Sequence, residues 1–238
     1  MQLTHPFGGR RPRLTFRRTA IAIAAVTMVA AGLTQVAWAT AAYPPFYKSG
    51  TNGFAAPSKG ASLLIDEGDG GQGALLTSVS GAANQAGFGR VGVHFSGTFS
   101  QLTDVETQFN VIQGTCVGGS PRWQIDLQDP ANANNTQFLW VYFDTQHEPY
   151  GGCNAGTQQE ANIIGTTSPA ANGWFVGYAN APSNYDVVNT QYGSWTVSDV
   201  QVIVDGGWAQ SAQINPNIQQ VLLHNMKIYT KTYFPLPQ

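Results

Sequence analysis

The sequence predicts an all-β fold of antiparallel strands in a single domain. Ten short segments of β-type composition occur between residues 62 and 234, and Gly, Pro, Asn or Asp ends each of them. Several alternate apolar and polar residues with period two, as strands with one buried face do. After the N-terminal leader, no segment keeps an apolar stripe at helical spacing over three turns. Many short strands separated by turns are typical of a sandwich or a closed barrel.

The predicted strands cover residues 62–66, 74–79, 90–99, 104–112, 122–128, 137–144, 174–179, 185–188, 195–205 and 219–234. In three of them one set of alternate positions, here called a parity, is apolar and predicts the buried face: Val91, Val93 and Phe95; Trp123, Ile125 and Leu127; Val200, Val202 and Val204. The other parity of these strands is more polar: Gly92, His94 and Ser96; Arg122, Gln124 and Asp126; Asp199, Gln201 and Asp205. Residues 138–143 are apolar on both parities, which predicts a strand covered on both faces.

Residues 1–39 have the organisation of a secretory signal peptide. Five of the 11 basic residues lie in the first eighteen positions, ahead of an apolar run that is too short to span a bilayer as a stable helix. Ala37-Trp38-Ala39 is a small-x-small cleavage site, so we expect cleavage after Ala39; an uncleaved anchor is the alternative. A secreted, extracellular protein with no stable membrane insertion after cleavage is therefore expected.

The remainder of the chain is expected to form an extended lead-in and one β-sandwich domain. Residues 40–58 are rich in Pro, Gly and Ala without a sustained period, and the domain is expected over residues 59–238. All 13 acidic residues lie beyond the leader, whereas 6 of the 11 basic residues do, so the formal charge there is 6 − 13 = −7. This negative charge disfavours nucleic acid and other polyanions as partners.

A hairpin argument predicts a disulfide between Cys116 and Cys153. Residues 122–128 and 137–143 are good strands joined by turn formers, so they are expected to pair. That pairing brings the flanking segments, which carry the two cysteines, close together. Cysteines of an exported protein are expected to pair, and this bond would add about 4 kcal/mol of stability. Two free thiols are the alternative.

Four segments carry a resemblance to known proteins. FNVIQGTCVGGSPRWQIDL (109–127), CNAGT (153–157) and WTVSDVQVIVDGGWAQSAQ (195–213) with VLLHNMKIY (221–229) resemble a group of secreted bacterial β-sandwich proteins. Their C-terminal halves are similar to jelly-roll carbohydrate-binding modules. The resemblance covers roughly residues 60–232 and implies an antiparallel jelly-roll-like β-sandwich, but it implies no assigned activity. His224-Asn225 stands where such modules often carry Asp-Asn, which counts against a calcium site of that type.

An acidic loop is a candidate calcium site. Asp66, Glu67 and Asp69 lie on a glycine-rich loop after the first predicted strand, and calcium prefers six to eight oxygen ligands. The spacing is not that of an EF-hand, so a solvated acidic turn is the alternative. The sequence calls for no other cofactor.

Aromatic residues are the candidate ligand-binding residues. Only 10% of the residues are charged, and Asn, Gln, Ser and Thr are interleaved with aromatic residues, a composition suited to neutral polar ligands. Aromatic rings stack on sugar rings while amides and carboxylates bind the hydroxyls. The candidates are Trp174, Tyr178, Tyr185, Tyr192 and Trp208. Each of them could instead fill the core or anchor a loop.

The sequence therefore favours a non-catalytic protein that recognises neutral carbohydrate at the cell surface or outside the cell. A structural or adhesive protein that self-associates is the first alternative, because low charge and exposed strand edges favour association. A polysaccharide-degrading hydrolase is the second. It requires two carboxylates about 5–10 Å apart, for which Glu106 and Asp126 are candidates.

Overall fold

A computed structural model describes residues 44–51, 59–66, 71–79, 87–114, 120–143, 157–160, 162–165, 173–177, 182–205 and 218–235. All of these residues belong to one compact unit, Ala42–Gln238. The signal peptide, residues 1–39, lies outside the described residues, as do most of the loops. No helix among the described residues is long and apolar enough to cross a membrane.

The described chain contains strands β1 to β12, one 3₁₀ turn and one α-helix, α1. The first six strands are β1 (Phe46–Thr51), β2 (Lys59–Asp66), β3 (Gln72–Val79), β4 (Gly87–His94), β5 (Val105–Gln113) and β6 (Arg122–Asp129). The other six are β7 (Asn132–Tyr142), β8 (Thr157–Glu160), β9 (Trp174–Val176), β10 (Thr196–Val204), β11 (Ile218–Ile228) and β12 (Lys231–Tyr233). The 3₁₀ turn spans Phe99–Gln101, and α1 spans Tyr185–Tyr192.

These strands form two antiparallel sheets, which confirms the predicted all-β sandwich. Sheet A has the order β1-β4-β10-β6-β7-β9; sheet B has the order β2-β3-β11-β5-β8, and β12 also pairs with β11. Hydroxyl groups join the sheets near one side: Ser62 Oγ donates to Arg90 O at 2.7 Å, and Ser78 Oγ donates to Gly87 O at 2.6 Å. Consecutive strands such as β3 and β4, β5 and β6, and β10 and β11 lie in different sheets. The chain therefore crosses repeatedly between the two sheets, as expected for a jelly-roll-like arrangement.

The apolar parities identified in the sequence form the core between the sheets. None of their side chains in β4, β6 and β10 is more than 2% exposed: Val91, Val93, Trp123, Ile125, Leu127, Val200, Val202 and Val204. Sheet B contributes equally buried residues, including Leu76, Phe109 and Leu223. Burial of apolar side chains is the main stabilising contribution, at about 25 cal/mol per Å².

The predicted hairpin between residues 122–128 and 137–143 is also confirmed. Its register runs from Arg122 opposite Tyr142 to Gln128 opposite Thr136. The connection is shorter than predicted, because β7 begins at Asn132 and only Asp129–Asn132 form the turn. Asp129 Oδ1 accepts a hydrogen bond from Ala131 N at 2.8 Å, which closes the turn through the side chain.

Two segments differ from the sequence expectation. Residues 185–188, predicted as a strand, begin helix α1, because the Asn184 side chain accepts a hydrogen bond from Val187 N at 2.9 Å and caps the helix. The buried residues Tyr185, Val188 and Tyr192 have helical spacing, but over two turns only. Residues 46–51 of the expected lead-in form β1, which pairs with β4 throughout its length.

Candidate functional site

The candidate site is the outer face of sheet A, formed by the side chains that alternate with core residues on β4, β6, β7 and β10. Asp199 of β10 lies directly opposite Asp126 of β6, and Gln201 lies directly opposite Gln124. The partner strand β4 places His94 opposite Asp199. The register of three strands therefore brings an imidazole, two carboxylates and two amides together.

Two amides hold the Asp126 carboxylate. Gln124 Nε2 donates to Oδ1 at 2.6 Å, and Gln201 Nε2 donates to Oδ2 at 2.8 Å. Burial raises the pKa of Asp126 above its usual value, the hydrogen bond from Gln124 lowers it, and the charge of Asp199 raises it; the net direction is upward. Asp126 is therefore a carboxyl group that keeps its proton to a higher pH than an exposed aspartate.

Asp199 is paired with an exposed histidine. His94 Nδ1 lies 2.5 Å from Asp199 Oδ1, and the histidine side chain is 57% exposed whereas the aspartate side chain is 21% exposed. The ring of Phe46 on β1 packs on the His94 ring at 5.0 Å between centroids. Asp199 thus differs from Asp126 in its partner, because it faces an imidazole and Asp126 accepts from two amides.

Gln201 is completely buried although it lies on the polar parity of β10. Its Oε1 has no hydrogen-bond partner, whereas its Nε2 is bound to Asp126. Gly92 lies opposite Gln201 on β4, and the absence of a side chain there leaves the space that the glutamine occupies. An unpaired buried acceptor costs free energy, so this orientation of the amide satisfies Asp126 and leaves the amide's own oxygen unpaired.

Aromatic rings border this polar centre on the β7 side. Trp140 lies opposite Gln124 and donates from Nε1 to Gln124 Oε1 at 2.8 Å. Phe138 lies opposite Asp126, is half-buried, and packs on Trp140 at 4.9 Å between ring centroids. With Phe46 on the β1 side, aromatic surface flanks the amides and carboxylates at both ends of the row.

A buried ion pair supports the same face. Arg122 donates to both oxygens of Asp205, at 2.6 and 2.7 Å, and its guanidinium lies 4.7 Å from the Trp140 ring centroid. Ser120 Oγ accepts from Asp205 N and donates to Gln219 Oε1 on β11 at 2.6 Å. These contacts connect Trp140 on sheet A to Gln219 on sheet B.

Three of the predicted ligand-binding residues lie in the core, which corrects the prediction. Trp174 is 0% exposed, Tyr185 is 9% exposed and Tyr192 is 6% exposed. The Trp174 ring packs edge-on against Phe99 at 5.6 Å, and Tyr192 packs edge-on against Trp195 at 5.0 Å. Rings enclosed by other rings offer no open face to a sugar. Their role is to pack helix α1 and β9 onto the sandwich.

The other predicted site residues mostly lie outside the described residues. This applies to Tyr178 and Trp208, to Glu67 and Asp69 of the acidic loop, and to Cys116 and Cys153. Asp66 is described, and it lies exposed at the end of β2, opposite Gln72. Among the described residues, no group of three or more His, Cys, Asp or Glu side chains is placed to hold a metal ion. Calcium binding by the loop stays a prediction.

The predicted pairing of Glu106 with Asp126 is wrong. Glu106 lies on β5 of sheet B, where its neighbours Val105 and Thr107 are buried and its carboxylate is 3.5 Å from Lys227 Nζ. Asp126 lies on β6 of sheet A, so the two carboxylates face outward from opposite sides of the core. Sequence reasoning missed Asp199 as the partner. The alternation of β6 and β10 placed both residues on polar parities, but it contained no information on which strands pair.

Comparisons with known proteins give little further information. No protein-family model and no curated protein matches the chain. Among solved structures, the chain is similar to the xyloglucanase domain of NopAA, a type three effector from Sinorhizobium fredii, solved in complex with cellobiose. The identity is 10%, the TM-score is 0.30, and the match covers 80% of this chain and 98% of that one. A likeness at this level carries no inference about activity.

Proposed function

We propose that the protein is secreted and recognises neutral carbohydrate, at the cell surface or outside the cell, through the outer face of sheet A. The observation that supports this proposal is the row of His94, Asp199 and Asp126 flanked by aromatic rings. Sugars present hydroxyl groups around a ring with apolar C–H faces, so a site for them needs acceptors and donors beside an aromatic surface.

The polar groups of this face match the hydroxyls of a neutral sugar. Asp126 and Asp199 are acceptors for hydroxyl donors, and His94 is exposed enough to reach a ligand. The amides of Gln124 and Gln201 hold Asp126 in position through bonds of 2.6 and 2.8 Å, so little side-chain freedom is lost on binding.

The half-buried ring of Phe138 is the aromatic surface best placed for stacking. It packs on Trp140 on one side and lies on the strand position opposite Asp126. A sugar stacked there would bring its hydroxyls to the two carboxylates. Loss of such a ring removes up to about 1.4 kcal/mol of stacking energy, which corresponds to roughly a tenfold loss of affinity.

Equilibrium binding to a panel of neutral polysaccharides tests this proposal. The mature chain should bind at least one of cellulose, xyloglucan, xylan, mannan and β-1,3-glucan, and Phe138→Ala should weaken that binding about tenfold. Ile112→Ala is the matched control, because Ile112 is an exposed apolar residue on sheet B, 52% exposed. Failure of the folded protein to bind any member of the panel, or an equal loss in the control, would refute the proposal.

Self-association is the second candidate function, and a row of leucines on sheet B favours it. Leu63 of β2, Leu75 of β3 and Leu222 of β11 are in register on one face, and Leu63 is 54% exposed. Exposed apolar surface on a sheet favours contact with a second copy. Sedimentation of the mature domain should then depend on concentration, and Leu63→Lys should abolish that dependence. A monomer at all concentrations would exclude this candidate.

A further inference from the structure

We propose that the outer face of sheet A also hydrolyses glycosidic bonds, with Asp126 as the general acid and base and Asp199 as the nucleophile. This inference rests on the proposed carbohydrate recognition and goes beyond it, since the sequence favoured a non-catalytic protein. It uses a pair of carboxylates that only the pairing of β6 with β10 brings together.

The spacing of the two residues suits a double-displacement mechanism. Asp126 and Asp199 are Cα partners in adjacent antiparallel strands with both side chains on the same face. Directly opposed residues have Cβ atoms about 5 Å apart. Glycosidases that retain the anomeric configuration have carboxyl groups about 5–5.5 Å apart, whereas inverting enzymes need a wider gap for water. Cβ atoms at this separation allow the two carboxyl groups to lie at the distance of the retaining class.

The surroundings give the two carboxyl groups different roles. Asp126 is enclosed by amides, and its burial together with the nearby charge of Asp199 raises its pKa, as a group that must donate a proton requires. Asp199 lies in a different environment, with its Oδ1 2.5 Å from Nδ1 of the exposed His94. A pair of acids in contrasting environments is the arrangement by which one site holds an acid and a nucleophile.

Gln201 is the second observation that indicates a reaction at this pair. Its side chain is fully buried, its Nε2 bonds Asp126 Oδ2 at 2.8 Å, and its Oε1 has no partner. Nε2 can donate to the ionised carboxylate. Rotation of the same amide by about 180° would present Oε1 as an acceptor for the protonated carboxyl group. The residue can thus serve both protonation states that an acid and base must visit in each turnover.

The reaction balances with water as the co-reactant. In the first step the Asp126 proton is transferred to the glycosidic oxygen, an Asp199 oxygen bonds to the anomeric carbon, and the bond from that carbon to the leaving oxygen breaks. In the second step Asp126 takes a proton from water, the water oxygen bonds to the anomeric carbon, and the ester bond to Asp199 breaks. Both carboxyl groups return to their starting states, and one glycosidic bond has been hydrolysed.

Reducing-end release from the polysaccharide panel tests the inference. The wild-type chain should release reducing ends, and Asp126→Asn and Asp199→Asn should each lower the rate at least about 100-fold while binding persists. Glu106→Gln is the matched control on sheet B and should leave the rate unchanged. The binding assay decides the proposed recognition separately. A wild-type chain that binds but releases nothing would overturn the catalytic inference alone.

Product chemistry separates catalysis from a structural role. Proton NMR of the wild-type reaction should show the first product with the anomeric configuration of the substrate. Azide added to Asp199→Ala should restore turnover of 4-nitrophenyl glycosides and yield a glycosyl azide of inverted configuration. Inverted wild-type product, or no rescue in a folded variant, would overturn the assignment of Asp199. Equal losses in Glu106→Gln and the two aspartate variants would overturn the assignment of both residues.

Discussion

A Cβ atom placed on Gly92 would lie 2.5 Å from the Cβ of Gln201 and 2.7 Å from Val200 O. Val200 O is a backbone atom of β10 and the Gln201 Cβ is bonded directly to that backbone, so neither can give way cheaply. The absence of a side chain at Gly92 therefore leaves the space from which Gln201 reaches Asp126 at 2.8 Å. The conformation of Gly92 is not unusual, and its importance lies in this close approach.

Gly92→Ala should consequently displace Gln201 and weaken carbohydrate binding at least about tenfold, with a loss of about 1–3 kcal/mol in stability from overpacking. Gly97→Ala is a control with similar crowding, because its Cβ would lie 2.5 Å from the Phe95 ring. That control should lose stability without a comparable loss of affinity. Titration calorimetry and chemical denaturation measure the two quantities. Equal binding by wild type and Gly92→Ala would contradict the role assigned to Gly92.

The buried ion pair of Arg122 and Asp205 should be the most sensitive polar contact of the sandwich. Their side chains are 6% and 5% exposed, so Asp205→Asn would leave an uncompensated guanidinium charge in the interior. We expect a loss of about 3–5 kcal/mol in the free energy of unfolding, measured by urea denaturation. Lys227→Gln is the comparison. The side chains of Lys227, Asp104 and Glu106 are about one-third exposed, so this substitution should lower the free energy of unfolding by less than about 1 kcal/mol. Similar losses in both variants would contradict this reasoning.

The raised pKa of Asp126 predicts a pH dependence of stability with a defined sign. The folded chain binds this proton more tightly than the unfolded chain, whose aspartates titrate near about 3.9, so stability falls as pH rises through the folded pKa. The charge of Asp199 adds to the shift, while Arg90 and Lys48 oppose it. The asparagine of Asp126→Asn cannot ionise, so this variant should not show the fall in stability with rising pH. Denaturation profiles between about pH 3 and about pH 7 that run parallel for variant and wild type would contradict the prediction.

The cysteine prediction requires a direct chemical test. Peptide mapping of secreted protein without reduction should recover Cys116 and Cys153 in one linked peptide pair. Replacement of both by Ser should then lower the free energy of unfolding by up to about 4 kcal/mol, because the unfolded chain loses its cross-link. Alkylation of both thiols without prior reduction would show that the bond does not form.

Cleavage of the leader has an equally simple test. N-terminal sequencing of protein from the culture medium should begin at Thr40, because Ala37-Trp38-Ala39 provides the small-x-small site. A replacement of Ala39 by a bulky residue such as Leu should block processing. Full-length chain recovered only from the membrane fraction would instead support the uncleaved anchor.

Local patterning predicted most strands because alternation depends on residues that are neighbours in sequence. The apolar parities of β4, β6 and β10 are the buried ones in the structure, and the hairpin of β6 and β7 follows from adjacent strands with a turn between them. Helix α1 was missed because its buried residues span only two turns and its segment 185–188 also suits a strand. The core positions of Trp174 and Tyr185 were missed because composition does not distinguish a packed ring from an exposed one.

The sequence by itself determined the fold class and the polar parity on which Gln124, Asp126, Asp199 and Gln201 lie. The tertiary structure alone decided that these residues meet, because β6 and β10 are separated by β7, β8, β9 and α1 along the chain and yet pair side by side. It also decided that Glu106 faces away from Asp126, on the other sheet. Alternation sets the direction of each side chain, but only the pairing and register of distant strands decide its neighbours.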